Sequence, residues 1–177
     1  PRWAAESPTP SPRMARSASN GCGSSRMRLM LHTDYALRML IYLAIHEGKP
    51  CRVSDVASSY GLSRNHLLKV ALNLGRLGHV ATARGRSGGI SLGRKPEDIN
   101  LGQVVRLMED DFALVECLRA DGGTCIISPA CGLKGIVSLA TAAFLSVFDR
   151  YTLADLVCNR LILTELLDVP ETPAVAA

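Results

Sequence analysis

Apolar residues recur at helical spacing over the first foldable stretch of the chain. From Thr33 the positions Leu37, Leu40, Ile41 and Ala44 share one face, Thr33 is a candidate N-cap, and Gly48 with Pro50 ends the run. A short second helix is expected to open at Ser54, with Asp55 in its first turn, and to stop at Gly61 after Val56, Ala57 and Tyr60. A third opens at Ser63. Its apolar face is Leu67, Val70, Ala71 and Leu74, which leaves Arg64, Asn65, Lys69, Asn73 and Arg76 pointing the other way. Gly75 inside it costs about 1 kcal/mol relative to alanine. The period then shortens. Residues 79–83 and 90–92 flank the glycine-rich Arg84-Gly85-Arg86-Ser87-Gly88-Gly89, which predicts a β-hairpin.

Beyond the hairpin, Asn100 is placed to cap a helix through Val104, Val105 and Met108. A longer helix is expected over 133–148, with Ile136, Ala140, Ala143, Phe144 and Val147 along one side. Thr152 and Asp155 would begin a last one over 153–167. Residues 1–26, rich in Pro, Ser, Ala, Gly and Arg without apolar periodicity, read as a disordered extension, and Met27 as the natural start. The tail 168–177 reads the same way. The expected organisation is a winged helix-turn-helix domain over 27–95, then a loop-and-helix unit over 96–167.

Charge sharpens this division. Residues 52–95 carry eight Lys and Arg against Asp55 alone, a charge of +7, while residues 96–177 sum to −7. A compact basic unit followed by an acidic one points to a polyanion facing the first, against the plainer reading of a solvated face. Helix, turn with Gly61, helix is the spacing of a helix-turn-helix. A hairpin directly after its second helix is a wing. A phosphate-cradling nucleotide loop fits poorly, because no helix follows the glycines. Double-stranded DNA is therefore the expected partner. Arg64, Asn65, His66 and Lys69 would meet base edges, with His66 alternatively a plain surface histidine. Arg84, Arg86, Ser87 and Gly88 at the wing would meet phosphates or the minor groove. The overall fold class is mainly α with a small β-hairpin, ending in a long C-terminal helix whose apolar stripe pairs with its twin in a homodimer.

Composition excludes more than it names. Of 177 residues, 47% are hydrophobic, 20% charged and 5% aromatic, an ordinary globular balance. The longest apolar run, Met39 to Ile45, falls far short of the roughly 18 residues a membrane span needs. With no apolar leader in 1–26 either, the chain is expected to be soluble and cytoplasmic. No nucleophile–base pair or carboxylate dyad is visible, so it is not expected to be an enzyme.

Three of the six cysteines cluster. Cys117, Cys125 and Cys131 are spaced C-x7-C-x5-C on a loop bearing Gly122, Gly123 and Pro129. Intracellular thiols at this density are ligands or redox groups more often than disulfides. Zinc usually requires a fourth Cys or His nearby, and none follows. Three thiolates and one other ligand suit an iron–sulfur cluster. A zinc site, a thiol switch and a redox electron carrier stay open as alternatives. Cys22, Cys51 and Cys158 read as ordinary thiols, the last packed in a helix.

The segments MRLMLHTDYALRMLIYLA, SRNHLLKV, RGRSGGISLG, the C-x7-C-x5-C array with GLKG, and DRYTLADLV together resemble the iron–sulfur winged-helix transcriptional repressors, and most closely their nitric-oxide-sensing branch. The resemblance covers residues 27–167. It implies that Cys117, Cys125 and Cys131 bind a cluster, 4Fe-4S with 2Fe-2S as the alternative. It also implies that Asp34, eight residues in from Met27, is the fourth ligand, supplied by the other subunit. By its own pattern Asp34 is only an acidic residue near a helix start. A biogenesis-regulating branch carries a histidine where this chain has Lys134. An iron-responsive branch shares the seven-residue gap between the first two cysteines and is the alternative to a nitric oxide sensor.

Overall fold

Helices α1 (Leu31–Ile45), α2 (Val53–Tyr60) and α3 (Arg64–Arg76) lead into a hairpin of β1 (Val80–Ala83) and β2 (Gly89–Leu92). Then come α4 (Leu101–Met108), α5 (Gly132–Phe148), α6 (Leu153–Leu156) and α7 (Arg160–Leu167). The computed structural model describes residues 29–83, 85, 88–109 and 111–167. The expectations for residues 1–26 and 168–177, and for Arg84, Arg86 and Ser87, lie outside the described residues. The fold is thus mainly α with one two-stranded antiparallel sheet. Among the described residues no helix is long and apolar enough to cross a membrane.

The core is organised around α1. Ala36, Met39, Leu40 and Leu43 are buried on it, and it meets α3, α4, α6, α7 and β2, so a helix this apolar is covered on several sides. Facing it are Leu67, Val70 and Leu74 of α3, Val56 of α2, Val104 of α4 and Leu153 of α6. Each such side chain contributes about 1.5–3 kcal/mol by leaving water. Thr33 is not the cap. The helix starts earlier because the Met30 carbonyl accepts the N–H groups of Thr33 and Asp34, at 3.0 and 3.1 Å, and Thr33 is buried within its first turn. The Met30 N–H is in turn held by Glu109 Oε1 at 2.8 Å.

The hairpin pairs Val80 with Leu92 and Ala83 with Gly89. Cys51 joins its far edge, exchanging two 2.8 Å backbone hydrogen bonds with Ile90, a pairing the apolar pattern did not signal. This close approach explains Gly89: a Cβ there would lie 2.5 Å from the Cys51 carbonyl oxygen. His79 leads into β1 and is 1% exposed, with neither ring nitrogen hydrogen-bonded. Burial, with help from Arg94, pulls its pKa down and so disfavours the charged ring.

Asn100 caps α4 as expected, its Oδ1 accepting the Gln103 N–H at 3.0 Å. Its amide donates to the Asp149 carbonyl at 2.8 Å, and Arg106 pairs with the Asp149 carboxylate, so α4 is fastened to the end of α5. The expected final helix is instead two. Thr152 and Asp155 cap α6, but the chain turns at 157–159 and restarts as α7. There Arg160 reaches back to the last carbonyl of α1, Ile45, at 2.7 and 3.1 Å. Satisfying that helix end fixes the break. Cys158 falls in this turn and is exposed, not packed in a helix.

Candidate functional site

Gly61 ends α2 in the left-handed conformation at φ 62°, which only glycine adopts without strain, and lets α3 start three residues later, at Arg64. Leu67, Val70, Ala71 and Leu74 are buried as their spacing requires, and Arg64, Asn65, His66, Lys69 and Arg76 are exposed. Asn73 and His66 do not stand free. The Asn73 amide lies 3.0 Å from His32 Nε2, and the His66 ring stacks on Tyr35 with centroids 6.4 Å apart. Both ties run from α3 to the first turns of α1. The same helix exposes two large apolar side chains that the charge pattern had obscured, Leu68 and Leu72.

Of the expected wing contacts only Gly88 is described. It starts the return into β2, and its N–H donates to the Gly85 carbonyl at 3.0 Å, closing the hairpin tip. Gly85 holds φ 112°, a glycine conformation.

The cysteine loop joins α4 to α5. Glu116 and Thr124, one residue before Cys117 and Cys125, are clamped together: the carboxylate accepts the Thr124 N–H and hydroxyl, each at 2.7 Å. Gly123 turns at φ 63° against Glu116, where a Cβ would come 2.7 Å from the Glu116 carbonyl oxygen. Cys117 is buried in a 3-10 turn, Glu116–Leu118, whereas Cys125 and Cys131 are half-buried and Cys131 stands at the start of α5. All three thiols are free. Among the described residues, no three His, Cys, Asp or Glu side chains gather closely enough to hold a metal ion. Asp34 is engaged by its own chain. Arg38 Nε and Nη2 reach its two oxygens at 3.0 and 2.8 Å, and the Arg38 guanidinium lies over the Tyr60 ring of α2 at 5.8 Å. Asp34 therefore sits between His32 and Tyr35, two α1 residues whose side chains pair with Asn73 and His66 of α3.

No residue of α5 is buried. Ile136 and Leu139 are 66% and 74% exposed, and Ile126 and Ile127 in the loop that precedes α5 are exposed as well. An apolar surface of this length marks an interaction site.

A family model described as "Rrf2: Iron-dependent Transcriptional regulator" matches residues 29–159. The HTH-type transcriptional regulator NsrR of Bacillus subtilis (strain 168) is 51% identical over 146 residues, covering 82% of this chain and all of that protein. Among solved structures, CymR (YrzC), the global cysteine regulator of B. subtilis, is similar with a TM-score of 0.59 and 26% identity, covering 74% of this chain and 96% of that one. T. potens IscR is similar with a TM-score of 0.61 and 26% identity, over 77% and 90% of the respective chains.

Proposed function

The chain belongs to the Rrf2 family and is a DNA-binding transcriptional regulator, and from that premise we propose that it is a cytoplasmic homodimeric repressor that senses nitric oxide through an iron–sulfur cluster. In this reading residues 27–95 form the DNA-binding domain. Arg64, Asn65, His66 and Lys69 read base edges in the major groove, and Arg84, Arg86, Ser87 and Gly88 contact the backbone or minor groove. Residues 96–167 hold the cluster and pair two chains through α5.

The donor chemistry fits such a group. Three free thiols lie on one glycine-bearing loop, two of them half-exposed, which suits iron held by thiolates. Cys117, Cys125 and Cys131 would hold it, with Asp34 of the second chain as the fourth ligand and 4Fe-4S as the nuclearity. When bound, such a group would supply iron chemistry responsive to nitric oxide; the rest of the response belongs to the protein. Asp34, as a hard oxygen donor beside three soft thiolates, would be the most readily displaced of the four ligands.

One observation carries the reading: Asp34 stands on the turn of α1 that touches the recognition helix. With Asp34 engaged across the dimer, α1 is restrained from outside its own domain. Once released, its carboxylate has only Arg38 to hold it. His32 and Tyr35 pass the difference to Asn73 and His66, altering how α3 is presented to DNA. An iron-status reading is favoured by the seven-residue gap between Cys117 and Cys125.

The deciding experiment starts with protein purified without oxygen, its visible absorption and its iron and sulfide content per chain. About four of each with broad charge-transfer absorption, and release of bound DNA on titration with nitric oxide, supports the proposal. Release by iron chelation but not nitric oxide selects the iron-status reading. Colourless, iron-free protein overturns both.

A further inference from the structure

Arg64, Leu68, Leu72 and Arg76 follow one another at i, i+4 steps along α3, so they form one ridge about 18 Å long. All four are exposed, Leu68 by 41% and Leu72 by 57%. A single exposed leucine means little. Two adjacent ones, bracketed by arginines and flanked by Asn65 and Lys69 on the most basic segment of the chain, lie where water-facing polar groups would be expected if this surface met only solvent. From this arrangement we propose that Leu68 and Leu72 read the C5-methyl groups of thymines in the operator. The inference rests on α3 being the helix that enters the groove.

The chemistry of the duplex supplies the match. In the major groove an A·T pair differs from the others by presenting a methyl group, the one apolar feature among donors and acceptors. A groove about 12 Å wide admits the helix. The leucines, in the middle of the ridge, then face base edges, and Arg64 and Arg76, at its ends, face the flanking phosphates or guanine edges. Specificity is divided accordingly. Asn65 and Lys69 select by hydrogen bonding, while Leu68 and Leu72 select for thymine by excluding water from its methyl group, a contact with no charge and hence no counterion release.

Exchange of thymine for deoxyuridine removes only the methyl and leaves base pairing intact. The test begins with the cluster-bearing full chain, purified without oxygen, and duplexes that it enriches from a random library. Each thymine of the tightest duplex is then replaced singly by deoxyuridine, and binding is measured for the wild type, Leu68→Ala and Leu72→Ala across a salt series. The expected result is about a fourfold loss at one or two positions per half-site for the wild type. That loss should vanish in the variant lacking the facing leucine, with the salt slope of both variants unchanged. Thermal melting of the variants checks that they remain folded, which their exposure favours.

Tight, salt-dependent binding with no methyl-sensitive position overturns the inference and leaves the DNA interface intact. So does a methyl effect that persists undiminished in both variants. A change in oligomeric state on either substitution, with methyl sensitivity retained, makes the ridge a protein contact and also overturns it. If no duplex is enriched, the DNA interface falls and the inference falls with it.

Discussion

Glu116 and Thr124 tie together the two ends of the loop that separates Cys117 from Cys125, through two 2.7 Å hydrogen bonds to one carboxylate oxygen. Closing a loop of this length before a cluster binds lowers the ordering cost of bringing the two thiols together. Glu116→Ala is therefore expected to lower iron and sulfide per chain and to hasten bleaching by a chelator, with little change in the melting of the cluster-free protein. The Thr124 backbone and hydroxyl donors hold the Glu116 carboxyl below its ordinary value of 4.5. The clamp is thus complete above that pH and is lost as pH falls through the lower native value. Equal chelator resistance of Glu116→Ala and wild type, at neutral pH, would show the clamp to be irrelevant to the thiols.

Asp34→Ala removes the proposed cross-chain ligand together with the Arg38 ion pair. That pair is an i, i+4 contact between half-exposed groups and contributes only about 0.3–0.5 kcal/mol. Cluster-free Asp34→Ala should therefore melt close to wild type. The effect is expected in coupling: the difference in operator affinity between cluster-loaded and cluster-free protein should narrow severalfold. An unchanged difference would remove Asp34 from the pathway between cysteine loop and DNA.

These two residues show how unevenly the sequence discloses the molecule. The buried face of α3 was legible because Leu67, Val70, Ala71 and Leu74 repeat with the period of the helix, and Gly61 and Asn100 act as their local chemistry requires. Glu116–Thr124 was not, since an i, i+8 contact in an aperiodic loop leaves no periodic trace. Leu68 and Leu72 were hidden because apolar residues are read as core, although both fall outside the stripe formed by the buried four. Asn73, assigned by period to the DNA-facing side, is bound instead to His32, a partner 41 residues away that no local pattern supplies. The split between α6 and α7 depends on Arg160 finding the end of α1, a tertiary contact of the same kind.

The exposure of α5 predicts its own cover. Ile136→Glu combined with Leu139→Glu places two charges on a surface proposed to pair with a second chain, and desolvating them would cost several kcal/mol. Sedimentation should show a monomer for this variant and a dimer for wild type, with helix content retained because neither side chain is buried within the chain. A dimer of unchanged stability would require a different interface.

Phosphate contacts have a quantitative signature. Each one lost should reduce the slope of log K against log salt by about 0.9. Lys69→Ala, and Arg84→Ala with Arg86→Ala, are each expected to lower affinity and flatten that slope for every duplex sequence tested. Wing variants with wild-type affinity and slope would place the hairpin off the DNA.

Two glycines in neighbouring elements should respond oppositely to the same substitution. Gly75 lies in the last turn of α3, and a Cβ there would approach the Val80 carbonyl oxygen at 3.7 Å, an ordinary contact. Gly75→Ala removes the backbone-entropy cost of glycine in a helix and is expected to stabilise the fold by about 0.5–1 kcal/mol. Gly89 pairs with Ala83 while Cys51 crosses beneath it, so its Cβ would meet a backbone oxygen at 2.5 Å. Neither strand nor bridge has a flexible side chain to yield there. Gly89→Ala must push β2 away from Cys51, break the 2.8 Å bonds to Ile90 and displace the wing, at a cost of about 1–3 kcal/mol. Melting temperatures measured side by side should move up for Gly75→Ala and down for Gly89→Ala, and only the latter should also weaken DNA binding. A stabilised Gly89→Ala variant would mean that Cys51 does not close the sheet beneath the hairpin.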